Sequence, residues 1–449
     1  PNILLIMTDQ QHAGMMSCAG NPWLATPAID GLAQGGIRFE RAYCTNPVCV
    51  PSRISMATGM MPVRLGASDN DSGMGISVLP RDVEGNSLGR LVKAAGYDTF
   101  YGGKAHLCES LCPAKAGYDV YFRDEREALP SSCVEFITRR RDRPFFAVAS
   151  FVNPHDICFA HRAHNGIDTH GVLELYRQAS ALPLAQLPRL PENHAVQQGE
   201  PAAVGAHAST TAITPSGTMR KEYGERDWRI NRWIYHRLTE QVDRQIGIIL
   251  DGLRTAGLDS STLVAFVSDH GNMDASHRLA SKGFYYEESV GVPLILRYPG
   301  VIPAGRTDGE HLVSTGLDLL PTFCDFIGIE PPKHLLGRSV RPLAEGRNVG
   351  SWRSFVVSEN DWFRMVRTQR TKYCVCRGPH IEEALVDLTN DPGEMLNLID
   401  DPAFRTQVLA HRRYLEEWSR VSSDTAAAPY LHYGDLVPAG DVMNAGLRE

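Results

Sequence analysis

Short apolar segments that run into small or polar residues recur along the chain. They cover residues 2–7, 97–101, 145–151 and 263–267, and each has the length of a β-strand. Nearly continuous apolar strands of this length are typical of a parallel sheet that is covered on both faces. We therefore expect these segments to be strands of one buried sheet.

Helical patterns lie between these strands. The clearest covers residues 228–254, where apolar positions recur every three to four residues and Gly257 follows as a stop signal. Residues 86–95 predict another helix, which Gly96 ends. Strands that alternate with helices predict an α/β, doubly wound fold. In such folds ligands bind at the carboxyl ends of the strands, where the polar clusters of this chain lie.

The pattern divides the chain into regions. Residues 1–345 carry the α/β pattern, and residues 157–222 within them are predicted to form an irregular insertion, rich in Pro, Ala, Gly and His. Residues 346–421 predict a smaller C-terminal α+β module, and residues 422–449 a tail without strong periodicity that can reach a neighbouring copy in a homo-oligomer. The elements predicted for the module are strands at residues 354–358, 365–368 and 372–377 and a helix at residues 402–420.

Composition excludes several classes of protein. The chain has 449 residues, of which 43% are apolar and 22% charged, as in ordinary globular proteins. Its formal net charge of −7 argues against general nucleic-acid binding. No apolar run approaches the ~18 residues of a membrane span. The first apolar segment is too short for the core of a signal peptide, and a signal removed before Pro1 stays an alternative. The sequence does not decide between a cytoplasmic and a periplasmic location.

The sequence CVPSR at residues 49–53 carries the most specific chemistry. Pro51 suits the first turn of a helix that Gly59 ends, which places Cys49 at the helix N-terminus. Backbone N–H groups there favour an anion or a nucleophile, and Arg53 can reach back to the same point. The local sequence fits two interpretations equally well. One is an anion site with a reactive cysteine, and the other is a buried structural cysteine beside a surface arginine.

The same sequence matches the C-x-P-S-R signature of the type I sulfatases, which belong to the alkaline phosphatase superfamily. The chain resembles that family over most of its length. Further segments that resemble family landmarks are, in chain order, residues 8–9 (TD), 26–33 (TPAIDGLA), 36–39 (GIRF), 103–106 (GKAH), 153–155 (NPH), 268–271 (SDHG), 282–283 (KG), 318–322 (DLLPT) and 390–394 (NDPGE).

The resemblance implies a fold, an activity and a modified residue. The expected fold is alkaline-phosphatase-like, with a mixed, mostly parallel sheet in a catalytic domain at residues 1–345. The expected activity is hydrolysis of a sulfate monoester, on a sulfated carbohydrate or a small organosulfate. In the family a maturation enzyme oxidises the cysteine to formylglycine, whose hydrated form attacks sulfur, and Cys49 is the matching residue.

The resemblance also implies a single divalent metal ion, held by Asp9, Gln10, Asp269 and His270 together with residue 49. Such an ion would polarise a sulfuryl oxygen and lower the pKa of the attacking hydroxyl. Many members of the family have a second aspartate in place of Gln10 and an asparagine in place of His270, so this ligand set is less anionic. Calcium is the expected metal, with magnesium or manganese as alternatives, because oxygen-rich sites favour calcium or magnesium and imidazole tolerates manganese and zinc.

Cationic and proton-transfer groups complete the predicted catalytic set, which also includes Arg53. Lys104 and Lys282 suit sulfate oxygens as point charges. By resemblance, His155 or Lys282 protonates the leaving alcohol, and His106 removes a proton from the second hydroxyl of the covalent intermediate. Asn70 is either a contact to the substrate sulfate or an ordinary turn residue.

Two alternative functions share this set of residues. A phosphonate or phosphate monoester hydrolase of the same superfamily would use the same nucleophile and metal, but the phosphonate hydrolases lack the pair formed here by Lys104 and His106. A non-catalytic binder of sulfated ligands would use the pocket without turnover. The complete set of candidate catalytic groups argues against that binder.

Overall fold

The structure is a computed structural model that describes residues 1–210, 214–378 and 380–431. The strands are β1 (Asn2–Asp9), β2 (Ile37–Phe39), β3 (Ala42–Tyr43), β4 (Asp98–Gly103), β5 (Val120–Phe122), β6 (Phe145–Pro154), β7 (Thr262–Ser268), β8 (Leu294–Arg297), β9 (Arg306–Asp308), β10 (Val313–Ser314), β11 (Phe355–Glu359), β12 (Phe363–Thr368), β13 (Thr371–Arg377) and β14 (Ile381–Asp387). The α-helices are α1 (Pro27–Gln34), α2 (Cys49–Thr58), α3 (Asn70–Met74), α4 (Arg81–Gly85), α5 (Leu88–Ala94), α6 (Leu129–Thr138), α7 (Ala160–His164), α8 (Val172–Ala181), α9 (Ala202–Thr210), α10 (Ser216–Glu222), α11 (Glu225–Thr255), α12 (Glu287–Val290), α13 (Thr315–Ile327), α14 (Arg341–Ala344) and α15 (Arg405–Ser422).

The main sheet contains eight strands in the order β5-β4-β6-β1-β7-β8-β2-β9. Strand β8 runs antiparallel to both neighbours, and the other pairs of the sheet are parallel. The strands predicted from apolar runs are adjacent at its centre, as β4-β6-β1-β7. The predicted mixed, mostly parallel α/β sheet is therefore confirmed.

Both faces of the sheet are covered, which explains the unbroken apolar character of β1. Ile3, Leu5 and Met7 belong to the core on one face, and Leu4 and Ile6 belong to the core on the other. Alternate side chains of a strand point to opposite faces, so an apolar residue is needed at every position of a strand buried on both sides. The C-terminal half of α11 packs on the second face.

Two predicted helices are confirmed close to their predicted ends. The long helix α11 extends the prediction of residues 228–254 by a few residues at its start and by one at its end. Helix α5 lies within the predicted residues 86–95, and Gly96 follows with a φ of +88°. A positive φ is tolerated best by glycine, so the predicted helix stop at Gly96 is confirmed.

The prediction of an irregular insertion at residues 157–222 was wrong. Helices α7, α8, α9 and α10 lie in this region, and residues 211–213 fall outside the described part of the chain. Val172 and Ala179 pack in one core cluster with Ile230, Ile234 and Leu238 of α11. Short helices depend on such tertiary packing for their stability, and weak periodicity in the sequence does not reveal it.

The C-terminal module is a four-stranded antiparallel sheet, β11-β12-β13-β14, covered by α15. The predicted α+β character is confirmed, and β14 adds a strand that the sequence did not predict. Val408, Leu415 and Trp418 of the helix pack on the sheet. The greater part of the predicted tail, residues 432–449, lies outside the described residues, so the suggested contact to a neighbouring copy stays a prediction. In the described ranges, no helix combines the length and the apolar character that crossing a membrane requires.

Candidate active site

The carboxyl ends of β1 and β7 bring two aspartates together. Asp9 is the last residue of β1, and Asp269 follows β7 directly. The strands are parallel neighbours, with Thr8 opposite Ser268, so both chains leave the sheet at the same edge. The backbone N–H of Gln10 donates to Asp269 Oδ1 at 3.1 Å, which fixes the turn after β1 against the carboxylate.

Cys49 begins helix α2 at the same edge, as predicted. Its Sγ lies 3.2 Å from Nε2 of His270 and 3.7 Å from Oδ1 of Asp9. One ligand atom from each of Asp9, Cys49, Asp269 and His270 lies within 4.8 Å of the others, and all four side chains are buried. Residues that are 260 positions apart in the sequence thus form a compact cluster.

Arg53 is buried beneath this cluster and joins its two carboxylates. Its Nε donates to Asp269 Oδ2 at 2.7 Å, and Nη2 donates to Asp9 Oδ2 at 3.0 Å. Nη1 donates to the backbone oxygen of Lys104 and to Ser150 Oγ. The guanidinium does reach back to the start of the helix, but the anions that it meets are protein carboxylates. Its role in this geometry is to orient them.

Two lysines supply positive charge around Cys49. The Nζ atom of Lys282 lies 2.8 Å from Cys49 Sγ, and Nζ of Lys104 lies 2.8 Å from Asp9 Oδ2. Lys104 follows Gly103, where φ is +89° and a Cβ would lie 2.0 Å from the backbone oxygen of Ser150. Only glycine fits this close approach, which holds the end of β4 against β6.

These charges set the protonation of the cluster. Burial and Asp9 act to raise the pKa of the Cys49 thiol, but Lys282, Lys104 and His270 outweigh them and lower it well below its ordinary value. Burial likewise opposes ionisation of Asp9, yet the nearby cations hold the pKa of Asp9 well below its usual range. Residue 49 therefore lies in an environment built to stabilise negative charge.

The chemistry of the donor set fits a divalent metal ion. Burial and the negative charge of Asp9 raise the pKa of Asp269, which shows that the two carboxylates repel each other inside the protein. A divalent cation placed between these carboxylates and His270 would replace that repulsion with attraction. Carboxylate oxygens and an imidazole nitrogen are common ligands of such ions.

A sulfatase family model matches residues 1–329, almost three quarters of the chain. This chain belongs to the sulfatase family. A second model, for the C-terminal region of N-sulphoglucosamine sulphohydrolase, matches residues 275–420 and includes most of the C-terminal module. The resemblance drawn from the motifs is confirmed, and the protein is an enzyme of the sulfatase class within the alkaline phosphatase superfamily.

Individual sulfatases match over nearly the whole chain. The delta 4,5-hexuronate-2-O-sulfatase of Bacteroides thetaiotaomicron is 29% identical over 447 residues, which cover 94% of this chain and 90% of the relative. The solved structure of a 2-O GAG sulfatase superposes with a TM-score of 0.82 at 27% identity and covers 100% of this chain and 97% of its own. The phosphonate monoester hydrolase of Agrobacterium radiobacter shares the fold, with a TM-score of 0.73 at 21% identity over 94% and 96% of the two chains.

The predicted histidines of this sulfatase lie at the same edge of the sheet. His155 lies directly after β6 and beside Cys49, and burial together with the positive charges of Lys282 and Lys104 lowers the pKa of its imidazole to about 4. His106 has a φ of +46°, and its buried Nδ1 has no hydrogen-bond partner within the described ranges. His155 thus lies beside the predicted nucleophile, and His106 follows Lys104, a predicted catalytic lysine, by two residues.

Gln10 and Asn70 have protein partners that the sequence did not reveal. The side-chain nitrogen of Gln10 donates to Asn272 at 3.0 Å, and its side-chain oxygen accepts from the thiol of Cys158 at 3.2 Å. Asn70 begins α3, and its Oδ1 accepts the backbone N–H of Val50 at 3.0 Å. Asn70 therefore holds the first turn of α2, next to Cys49, and its predicted contact to substrate stays a prediction.

The C-terminal module holds the segment that carries Lys282. The backbone oxygen of Gly283 accepts from Asn360 Nδ2 at 3.1 Å and from Trp362 Nε1 at 3.0 Å. Lys372, on β13, donates to the backbone oxygen of Tyr285 at 3.0 Å. No local pattern in the sequence could have identified these contacts, because they join positions more than 70 residues apart.

We expect Trp362→Phe to lower kcat without unfolding the sulfatase. The change removes one of the two hydrogen bonds to Gly283 and loosens the position of Lys282, and a shift of about 1 Å in a reacting group can cost on the order of a hundredfold. The measurement is kcat on an aryl sulfate alongside a thermal melt. Trp418→Phe is the matched control in the same module, because its indole nitrogen has no hydrogen-bond partner among the described residues. Equal kcat values for the two variants would show that the contact does not position Lys282.

Proposed function

We propose that this sulfatase hydrolyses a sulfate monoester through a formylglycine formed from Cys49 and with the help of one divalent metal ion. The observation that carries the proposal is the environment of Cys49. Its Sγ lies at the start of α2, 2.8 Å from Lys282 Nζ and 3.2 Å from His270 Nε2, above two buried carboxylates. A maturation enzyme that oxidises this cysteine to the aldehyde is the implied partner.

Asp9, Asp269 and His270 would hold the metal, with Gln10 and residue 49 as further ligands. Bound there, the ion would polarise a sulfuryl oxygen and favour the ionised form of the attacking hydroxyl. Calcium is the proposed ion because the ligands are mainly oxygens, and the imidazole of His270 leaves manganese or magnesium as alternatives. Arg53 holds both carboxylates in place from below through its hydrogen bonds.

Lysine and histidine side chains carry out charge neutralisation and proton transfer in the proposed reaction. Lys104 and Lys282 neutralise the sulfate so that a nucleophile can approach it. Lys282 or His155 donates the proton that the departing alcohol oxygen needs. For His155 this requires the protonated imidazole, which the negative charge of a bound sulfate would favour against the lysines that lower its pKa. His106 removes a proton from the second hydroxyl of residue 49, so that sulfate leaves and the aldehyde returns.

The proposed substrate class is a sulfated carbohydrate, and the relatives support it. One relative is named for a 2-O-sulfated unsaturated hexuronate, and the superposed structure is that of a 2-O sulfatase. Assays on a panel of sulfated sugars should therefore include an unsaturated uronate 2-O-sulfate, an amino-sugar 6-O-sulfate and a simple aryl sulfate. Turnover of the aryl sulfate with none of the sugars would favour a small organosulfate instead.

We expect kcat/KM for an aryl sulfate to exceed that for phenylphosphonate measured side by side. The phosphonate hydrolases share the fold, but Lys104 and His106 favour the sulfate ester, and a single acid–base group is worth on the order of a hundred- to ten-thousandfold. His106→Ala should depress steady-state sulfate turnover and leave residue 49 sulfated, which intact-mass analysis can detect. Faster hydrolysis of the phosphonate would make the phosphonate or phosphate monoester hydrolase the better assignment.

A further inference from the structure

A second group of metal-ligating side chains lies apart from the first cluster. His277 and Glu288 belong to the connection between β7 and β8, residues 269–293, and Glu394 belongs to the C-terminal module. One ligand atom from each lies within 4.8 Å of the others. His277 and Glu394 are buried, and Glu288 is half-buried. The group therefore lies at the junction between the module and the connection that carries Lys282.

The imidazole of His277 has no hydrogen-bond partner among the described residues. The residue is 0% exposed, and neither ring nitrogen has a hydrogen-bond partner in the part of the chain that the structure describes. Its ring stacks on Tyr286 with centroids 3.9 Å apart, and its φ of +54° lies in the left-handed region. Burial of a polar ring without hydrogen-bond partners costs free energy, and so does a positive φ in a residue other than glycine. Both costs apply to His277.

The carboxylates of the junction are not fully neutralised. Lys372 Nζ lies 2.7 Å from Glu394 and 2.9 Å from Glu287, and Arg367 lies 3.7 Å from Glu287. Glu288 has no ion pair within the described ranges, and its buried Oε2 has no hydrogen-bond partner there. Lys372 and Arg367 thus pair with Glu287 and Glu394, and Glu288 is left without a cationic partner beside an imidazole that has no hydrogen bond.

We propose that His277, Glu288 and Glu394 bind a second divalent metal ion, of the zinc type, which fastens the connection carrying Lys282 to the C-terminal module. Imidazole together with carboxylates is a ligand set that suits zinc. Zinc bonds to nitrogen and oxygen are about 2.0–2.2 Å long, so ligand atoms around one ion lie roughly 3–4 Å apart. The ligand atoms of the three residues lie within 4.8 Å of one another, and binding of the proposed ion would draw them to that spacing. The ion supplies both the partner of the imidazole and the missing positive charge.

The test is zinc binding by the full chain with its first cluster saturated by calcium. Isothermal titration and elemental analysis should show a single zinc ion for each wild-type chain, and zinc should raise Tm. Glu288→Gln keeps the shape of a half-buried side chain while removing its charge, and it should weaken zinc binding by at least about tenfold. Asp269→Asn, in the first cluster, should bind this zinc as the wild type does.

His277→Gln provides a second variant in case one substitution disturbs the fold, and it should lose the zinc-dependent rise in Tm. Two results would overturn the proposal. One is a calcium-saturated wild type that takes up no zinc. The other is zinc binding of wild-type strength in folded Glu288→Gln and His277→Gln proteins. Loss of zinc in Asp269→Asn but not in Glu288→Gln would assign the bound zinc to the first cluster, which also overturns it.

Discussion

Cys49→Ala is expected to abolish turnover of sulfate esters, with a loss of at least about a thousandfold, because removal of a catalytic nucleophile leaves only the surrounding electrostatic stabilisation. The Sγ atom of Cys49 contacts Lys282 and His270, which stabilise negative charge at this position. The wild-type protein, produced in a host that contains a formylglycine-generating enzyme, should yield a peptide whose mass corresponds to an aldehyde at residue 49. Both results are required by the proposed mechanism.

Cys44→Ala is the matched control for this prediction. Cys44 is as buried as Cys49 and lies five positions before it, but burial and Asp269 raise the pKa of its thiol, so it is a poor nucleophile. The Cys44 variant should keep the aldehyde at residue 49 and most of its kcat. Substantial kcat in Cys49→Ala would remove residue 49 from the reaction and overturn the mechanism.

Asp269→Asn is expected to weaken metal binding and to lower kcat, each by more than about a hundredfold. The change removes a predicted charged ligand of the metal, and loss of a residue that only supports a ligand already costs about ten- to a hundredfold. Its carboxylate accepts from Arg53 at 2.7 Å and faces the side chains of Asp9 and His270. Chelation of the wild-type protein should abolish activity in the same way, and addition of calcium should restore it. Elemental analysis and kcat on the same preparation give the two readouts.

Asp243→Asn is a suitable control for the metal prediction. Asp243 is also a buried aspartate, but its carboxylate accepts the backbone N–H groups of Ala28 and Ile29 at the start of α1. That variant should lose stability of the fold while retaining its metal content per folded chain. Full activity in metal-free wild-type protein, or unchanged metal content in Asp269→Asn, would contradict a metal site at Asp269.

Much of the site follows from local features of the sequence. The apolar segments at residues 2–7, 97–101, 145–151 and 263–267 predicted central strands, and parallel strands end at one edge of a sheet. The residues after those strands had to meet there, which accounts for Asp9, Lys104, His155 and Asp269. Helix-start and helix-stop signals placed Cys49 at the N-terminus of α2. These signals span a few residues each, so no knowledge of distant contacts was needed.

The tertiary structure decided what those residues do and what supports them. Only the folded chain shows that Arg53 joins two carboxylates and that Trp362 and Asn360 hold Gly283. It also shows that the predicted irregular insertion contains helices, of which α7 and α8 pack on α11. Strand character and helix ends are set by neighbours in the sequence. Side-chain partners and the stability of short helices depend instead on contacts between positions tens to hundreds of residues apart, which a single sequence does not reveal.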